Sequence, residues 1–252
     1  MKFSTMPSVP TSQQVSLAPQ RKPVVVFCIP GKEFTPGFFD SWTKMLMELS
    51  RNLPFDIVVS RHYSPVIFHC RANLLGADNR AGKHQIPFQG RVQYDYIMWL
   101  DSDIVFEPQD VIKLFRTMER DKSLDVLCGI YLTTSGTHST IVKDWDLDFF
   151  QRTGMFPFMT PEELKQVAQK SPKRLAEVFY AGMGFMMCRS GTIEKVTYPW
   201  FEPIMHEIEI SKDFSSEDVS LCWKWRDAGV KIWVDPDVLV GHEKSGIIRG
   251  RK

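Results

Sequence analysis

The sequence predicts an α/β fold: a single Rossmann-like domain with a mixed, mostly parallel central sheet flanked by helices. Three observations carry this. From residue 24 to 131, short apolar runs alternate with segments of helical periodicity, the pattern of βαβ units. The runs are continuously apolar and rich in β-branched residues, as strands buried on both faces are. A chain of 252 residues with 43% hydrophobic and 12% aromatic content can fill one large core.

Val24 to Ile29 forms the first expected strand, and Pro30 and Gly31 stop it. Phe38, Phe39, Trp42, Met45, Leu46 and Leu49 then recur at helical spacing, predicting a helix over 38–51. Phe55 to Val59 is a second strand. Ile67, Cys70, Leu74 and Leu75 predict a helix within 66–78, with a loop from Gly82 to Gly90 before the strand Asp95 to Leu100. Pro108 can open a helix, and Val111, Leu114, Phe115 and Met118 carry it to 120. Val126 to Tyr131 is the next strand.

Residues 133–180 are less regular, with an acidic and aromatic patch at Trp145–Phe150 and a short helix near 161–170, a texture that suits a substrate-facing insertion. Gly182 leads into an apolar strand ending near Cys188, and a short helix is expected around 190–196. Ser215 to Asp218 has capping-box spacing and opens a helix that Gly229 would stop. Ile232 to Val234 and Val238 to Val240 are two short strands, with His242 just after the last.

Composition narrows the function. Lys and Arg number 31 against 30 Asp and Glu, and a formal charge of +1 leaves no footprint for nucleic acid or an acidic membrane surface. The five cysteines are odd in number and widely spaced, so they read as reduced core residues and not as a disulfide framework or zinc site. A cytoplasmic setting is the expectation. No stretch approaches the roughly 20 apolar residues that cross a bilayer. Residues 1–22, rich in Ser, Pro and Gln, are expected to be a disordered tail, and 246–252 a flexible basic one, bounding a domain at 23–245.

The most informative stretch is Trp99-Leu100-Asp101-Ser102-Asp103, where an apolar strand ends in two carboxylates one residue apart. In extended chain, residues i and i+2 point to one side, so Asp101 and Asp103 can converge on one cation. Carboxylates on a short turn suit Mg²⁺ or Mn²⁺, with phosphate oxygens and water completing the shell. Turn formation alone also explains Asp and Ser here. The position decides in favour of a site, because ligands of parallel sheets bind beyond the carboxyl ends of strands.

Four signals follow in order: Asp101-Ser102-Asp103, Ala181-Gly182-Met183-Gly184, Ser216-Glu217-Asp218-Val219 and Gly241-His242, with Cys70-Arg71-Ala72-Asn73 upstream. This ordered set resembles the GT-A class of nucleotide-sugar glycosyltransferases, especially small single-domain bacterial and viral members, over about residues 24–245. The resemblance implies Asp103 as chief metal ligand, with Asp101 and His242 beside it and Mn²⁺ or Mg²⁺ as the cofactor. It implies Asp218 as general base of an inverting transfer, with Glu217 binding the acceptor. Pro30, Arg71, Asn73, Ser102, Gly182, Gly184 and Lys244 would line the donor site. A UDP-sugar donor and a glycan, glycolipid or protein acceptor complete the picture.

Each assignment has a structural alternative. Glu217 and Asp218 fit the first turn of a helix on dipole grounds alone. Gly182 and Gly184 either make a turn before a strand or let the backbone approach a ligand. Arg71 and Asn73 could be a solvated helix face, and Trp145, Trp200 and Trp223 core residues before sugar platforms. A haloacid-dehalogenase-like phosphatase shares the Asp-Ser-Asp pattern but places it on its first strand, and a phosphomonoester assay separates the two. A related nucleotidyltransferase would carry a glycine-rich signature where Pro30-Gly31-Lys32-Glu33 stands. A catalytically inactive sugar-binding module would show no nucleotide-sugar turnover.

The tail yields a first prediction. A chain beginning at Arg21 is expected to keep the melting temperature and donor affinity of the full protein, measured by calorimetry. A large drop in either would show that the removed segment packs on the domain.

Overall fold

The computed structural model describes residues 21–48, 51, 53–208 and 211–244. The expectations for residues 1–20 and 246–252 lie outside these. Arg21 and Lys22 already touch the domain, pairing with Asp95 at 2.9 Å and Asp56 at 3.5 Å.

The first half runs β1 (Val24–Pro30), α1 (Pro36–Glu48), β2 (Asp56–His62), α2 (Ile67–Leu74), β3 (Tyr96–Leu100), β4 (Ile104–Val105), α3 (Pro108–Arg120) and β5 (Val126–Ile130). Then come β6 (Ile141–Val142), α4 (Leu147–Thr153), α5 (Pro161–Lys170), β7 (Ala176–Val178), β8 (Tyr180–Ala181) and β9 (Phe185–Arg189). The chain continues through β10 (Met205–Ile208), β11 (Ser211–Phe214), α6 (Glu217–Asp227), β12 (Ile232–Leu239) and β13 (Gly241–His242).

A seven-stranded sheet in the order β2-β1-β3-β9-β5-β12-β7 forms the centre. The pairs β1 with β2, β1 with β3 and β5 with β12 are parallel; β9 is antiparallel to both its neighbours, and β7 to β12. Five strands therefore share one direction and two oppose it, the mixed, mostly parallel sheet expected.

Strand alternation sorts the core into two layers. Val25, Phe27, Met98, Leu100 and Met187 face α1 and α3, where Phe38, Met45, Leu114 and Met118 are buried against them. Val26, Cys28, Trp99, Met186 and Cys188 face the other way, toward Leu74 of α2 and Leu221 and Trp225 of α6. All five cysteines are buried and free. No helix of the described residues is long and apolar enough to cross a membrane.

Several boundaries differ from the sequence pattern. α2 stops at Leu74, because the chain turns at Gly76, where φ is +69°, and Gly76 and Ala77 bond back to Asn73 and Ala72. The helix expected at 190–196 is a single 3₁₀ turn, Ile193–Lys195. The two short strands after 232 are one strand, β12, with a register shift between Val234 and Leu239. Asp235, between them, accepts from the Asp237 N–H at 3.0 Å and pairs with Lys113. The irregular region holds α4, β6, β7 and β8, short elements whose pairing is long-range.

Candidate active site

The carboxyl ends of β1 and β3 lie side by side, with Cys28 paired to Trp99. Gly31 has φ +132°, and a Cβ there would lie 2.5 Å from Ser102 Oγ, so Pro30-Gly31 and Ser102 form one continuous surface. The Thr35 N–H donates to the Ser102 carbonyl at 3.1 Å and fixes this turn.

Asp103 meets the end of the chain. β4 pairs antiparallel with β13, His242 opposite Ile104, which brings His242 Nε2 to 3.4 Å and Lys244 Nζ to 2.6 Å of Asp103 Oδ2. Burial pushes the Asp103 carboxyl up, but the hydrogen bonds from His242 and Lys244 outweigh it and leave its pKa below the ordinary value. Asp103 in turn raises the His242 pKa. The second ring nitrogen, Nδ1, is 2.8 Å from the Leu132 carbonyl, which can only accept. In the neutral ring Nε2 therefore keeps its lone pair toward Asp103, the arrangement of a metal-binding histidine oriented from behind. An open cleft of ≈ 630 Å³ lies beside this corner, lined by Leu132, Thr133, Gly136, Leu239, His242 and Lys244 among others.

This donor set suits a divalent cation: a carboxylate and an imidazole, with room for phosphate oxygens and water. Among the described residues no group of three or more His, Cys, Asp and Glu is gathered for a metal, and Asp101 lies beside Arg71. Arg71 as a whole is 4% exposed, and a buried cation requires anionic partners. Nε donates to Glu217 at 2.9 Å and Nη2 to Asp101 at 3.4 Å, while Nη1 is buried without a partner. Burial would lower the Arg71 pKa; Asp101 and Glu217 reverse that and keep it charged. Glu217 is itself raised, by burial and then by Asp218, against the opposing pull of Arg71. Arg71 is thus no solvated helix face. Asn73, two residues on and across the helix, is exposed and bonds His62 at 3.2 Å.

Asp218 lies in the first turn of α6, where its carboxylate meets a first-turn N–H and side-chain donors alike. The predicted capping box from Ser215 does not form, because Ser215 Oγ bonds Ser220 Oγ at 2.7 Å and the Ile204 carbonyl at 3.3 Å. The Tyr180 hydroxyl donates to Asp218 Oδ2 at 2.8 Å, and Oδ1 accepts from the Ser216 hydroxyl and the Val219 N–H. Burial raises the Tyr180 pKa well above its usual value and Asp218 adds to this, so the phenol stays a donor. Tyr180 was not singled out by the sequence; the available signal was a Tyr just before Ala181-Gly182, whose hydroxyl requires a partner once buried.

Gly182 and Gly184 have a neighbour within the protein itself. A Cβ at 182 would lie 2.2 Å from the Tyr131 hydroxyl and 2.7 Å from Thr140 Oγ1; one at 184 would lie 2.8 Å from the Tyr131 ring. The Gly184 N–H donates to that hydroxyl at 3.1 Å, and the Gly184 carbonyl accepts from the Asp101 N–H at 3.0 Å. The glycines let Tyr131 under the turn that holds Asp101. Among the tryptophans, Trp200 is fully buried, and Trp145 and Trp223 pack edge to face at 5.2 Å, partly buried against the core.

Residues 90–193, under half of the chain, match the model of glycosyl transferase family 2. No curated protein sequence matches. Among solved structures, the chain is similar to A197 from STIV at 16% identity and TM-score 0.49, covering 91% of this chain and 98% of that one. It is similar to GalNAc-T7, crystallised with UDP, GalNAc and Mn²⁺, at 11% identity and TM-score 0.47, covering 87% of this chain and 43% of that one. Glucosyl-3-phosphoglycerate synthase from Mycobacterium tuberculosis is similar at 11% identity and TM-score 0.42, with 89% and 73% covered. The family match spans Asp101, Asp103, Gly182 and Gly184 and supports a glycosyltransferase.

The packing of Tyr131 gives a second prediction. Gly182→Ala is expected to destabilise the fold by about 1–3 kcal/mol through overpacking, read by urea denaturation. Adding Tyr131→Phe, which removes the clashing oxygen, should recover part of that loss; strict additivity of the two changes would show that the hydroxyl is not what excludes a side chain at 182.

Proposed function

We propose that the protein is a metal-dependent glycosyltransferase that moves a sugar from a UDP-sugar to an acceptor hydroxyl with inversion. The observation that carries this reading is the pair of differently equipped acids beyond the carboxyl ends of the central strands. Asp103 sits among His242 and Lys244, and Asp218 sits across Arg71 and Glu217 with its carboxylate held by neutral donors. The match of residues 90–193 supports the same class.

In this reading Asp103 and His242 would hold Mn²⁺ or Mg²⁺, which when bound neutralises charge developing on the diphosphate leaving group. Lys244 binds the diphosphate directly, and Pro30 and Ser102 line the nucleotide pocket. Arg71 pairs with Asp101 and Glu217 and holds both in place, and so acts on donor and acceptor through them. Asp218 accepts the acceptor hydroxyl's proton as that oxygen bonds to the anomeric carbon and the bond to the diphosphate breaks. Tyr180 and Ser216 orient its two oxygens. Glu217 binds the acceptor, a glycan, glycolipid or protein, and the reaction runs in the cytoplasm.

Calorimetry tests the donor side. UDP is expected to bind with Mn²⁺ present and to lose most of its affinity in EDTA or in Asp103→Ala; equal affinity in EDTA removes the metal from the mechanism. The acceptor side is tested by Asp218→Asn, which keeps size and hydrogen-bonding oxygen but not basicity. UDP and Mn²⁺ binding should persist while transfer from the UDP-sugar falls by a factor on the order of 10² or more. Transfer that survives this change shifts the base to Glu217 or points to retention.

A further inference from the structure

The last described residues alternate sides as a strand does. His242 and Lys244 face Asp103 Oδ2, at 3.4 and 2.6 Å. Glu243, between them, turns the opposite way, and its Oε2 accepts from the Gly37 N–H at 2.8 Å, in the first turn of α1. Its own N–H donates to the Asp103 carbonyl at 2.8 Å. One residue thus ties the chain's end both to the Asp103 backbone and to a helix 206 positions earlier.

Two features of α1 are matched to this tie. The first turn carries no acid of its own, and Thr35 Oγ1 accepts from Phe38, at 3.3 Å, so the Gly37 N–H is left for Glu243. A carboxylate is favoured at such a helix start by the unpaired N–H groups and the dipole. Gly37 also leaves room for it: a Cβ there would lie 2.7 Å from Glu243 Oε2 and 2.7 Å from Val105 Cγ2.

The tie compensates for a weak ladder. β13 is two residues long and pairs with β4 through Gly241–Val105 and His242–Ile104, too few bonds to set register firmly. A slip by one residue turns every side chain to the other face; here it would take His242 and Lys244 away from Asp103 and bring Glu243, a like charge, toward it. We infer that Glu243 is a positioning residue for donor binding: anchored on the first turn of α1, it locks the register that presents His242 and Lys244 together to Asp103. Its significance for donor binding rests on the function proposed above, whereas the lock itself does not.

Two measurements separate these. Backbone amide hydrogen exchange by NMR reads the lock without any ligand: in Glu243→Ala the amides of residues 241–244 should exchange at least tenfold faster, with β3 unchanged. Glu243→Gln, which keeps an acceptor for the Gly37 N–H, should stay within about twofold of the native rates, a band set by the small energies of single neutral contacts. Exchange unaltered in Glu243→Ala overturns the inference. Calorimetry of UDP with Mn²⁺ should follow the same order, Glu243→Ala weaker by about tenfold, the ~1.4 kcal/mol of one anchoring contact, and Glu243→Gln close to native. Adding Thr35→Asp to Glu243→Ala restores an anion at the start of α1 without the tie. It should recover the melting temperature but neither the exchange rates nor the affinity; recovery of all three reduces Glu243 to a helix cap and overturns the positioning role. Absence of UDP binding in the unaltered protein strikes the proposed function alone, and the exchange result then still decides on the lock.

Discussion

A single buried guanidinium organises the candidate site. Arg71 reaches from α2 beneath the ends of the central strands and engages Asp101 on one side and Glu217 on the other, residues 146 positions apart from it in the second case. Carboxylates held this close together repel one another. The shared cation opposes the rise that burial and Asp218 impose on the Glu217 pKa, and it fixes both carboxylates in place. Breaking such a buried group by removing one member typically costs more than the pair contributes, so the end of β3, α2 and the start of α6 are committed to one arrangement.

Around that cation the fold supplies two supports of different kinds. On the Asp103 side, backbone does most of the fixing: β4 and β13 pair, and the Leu132 carbonyl sets the His242 ring. On the Asp218 side, side chains do it: Tyr180 and Ser216 hold the carboxylate. Tyr131 lies between, under the glycine turn, with its hydroxyl accepting from Gly184. Burial raises the pKa of that phenol and Asp101 adds to this, so it adds no charge among the acids.

Much of this was legible in the sequence where the signal is local. α3 falls where proline at the helix start and three-to-four-residue periodicity place it, and α5 covers the short helix expected near 161–170. Asp101 and Asp103 were found because acids after a fully apolar strand have no packing explanation. The rest depends on long-range partners. That Asp101 turns to Arg71 could not be read from a spacing of two. The direction of β9 is not encoded in its own apolar run, and the β10–β11 hairpin escaped notice because no Gly, Asn or Pro separates its strands. Tyr180, Tyr131 and Glu243 act through contacts 38, 53 and 206 positions away, beyond any window a local pattern can cover.

The reversed strand β9 has a consequence for how the molecule is assembled. It is the seam between β2-β1-β3 and β5-β12-β7, and neither group reaches the other in the sheet without it. The first three strands can pair early, but the seam must wait for residues 185–189, after the long excursion through α4 and α5. Contacts of such sequence separation are slow to form. The Asp101 N–H, whose partner is the Gly184 carbonyl just before the seam, is therefore set in place only when the two halves are joined, so a partly folded chain holds strands but not yet the corner where its acids meet.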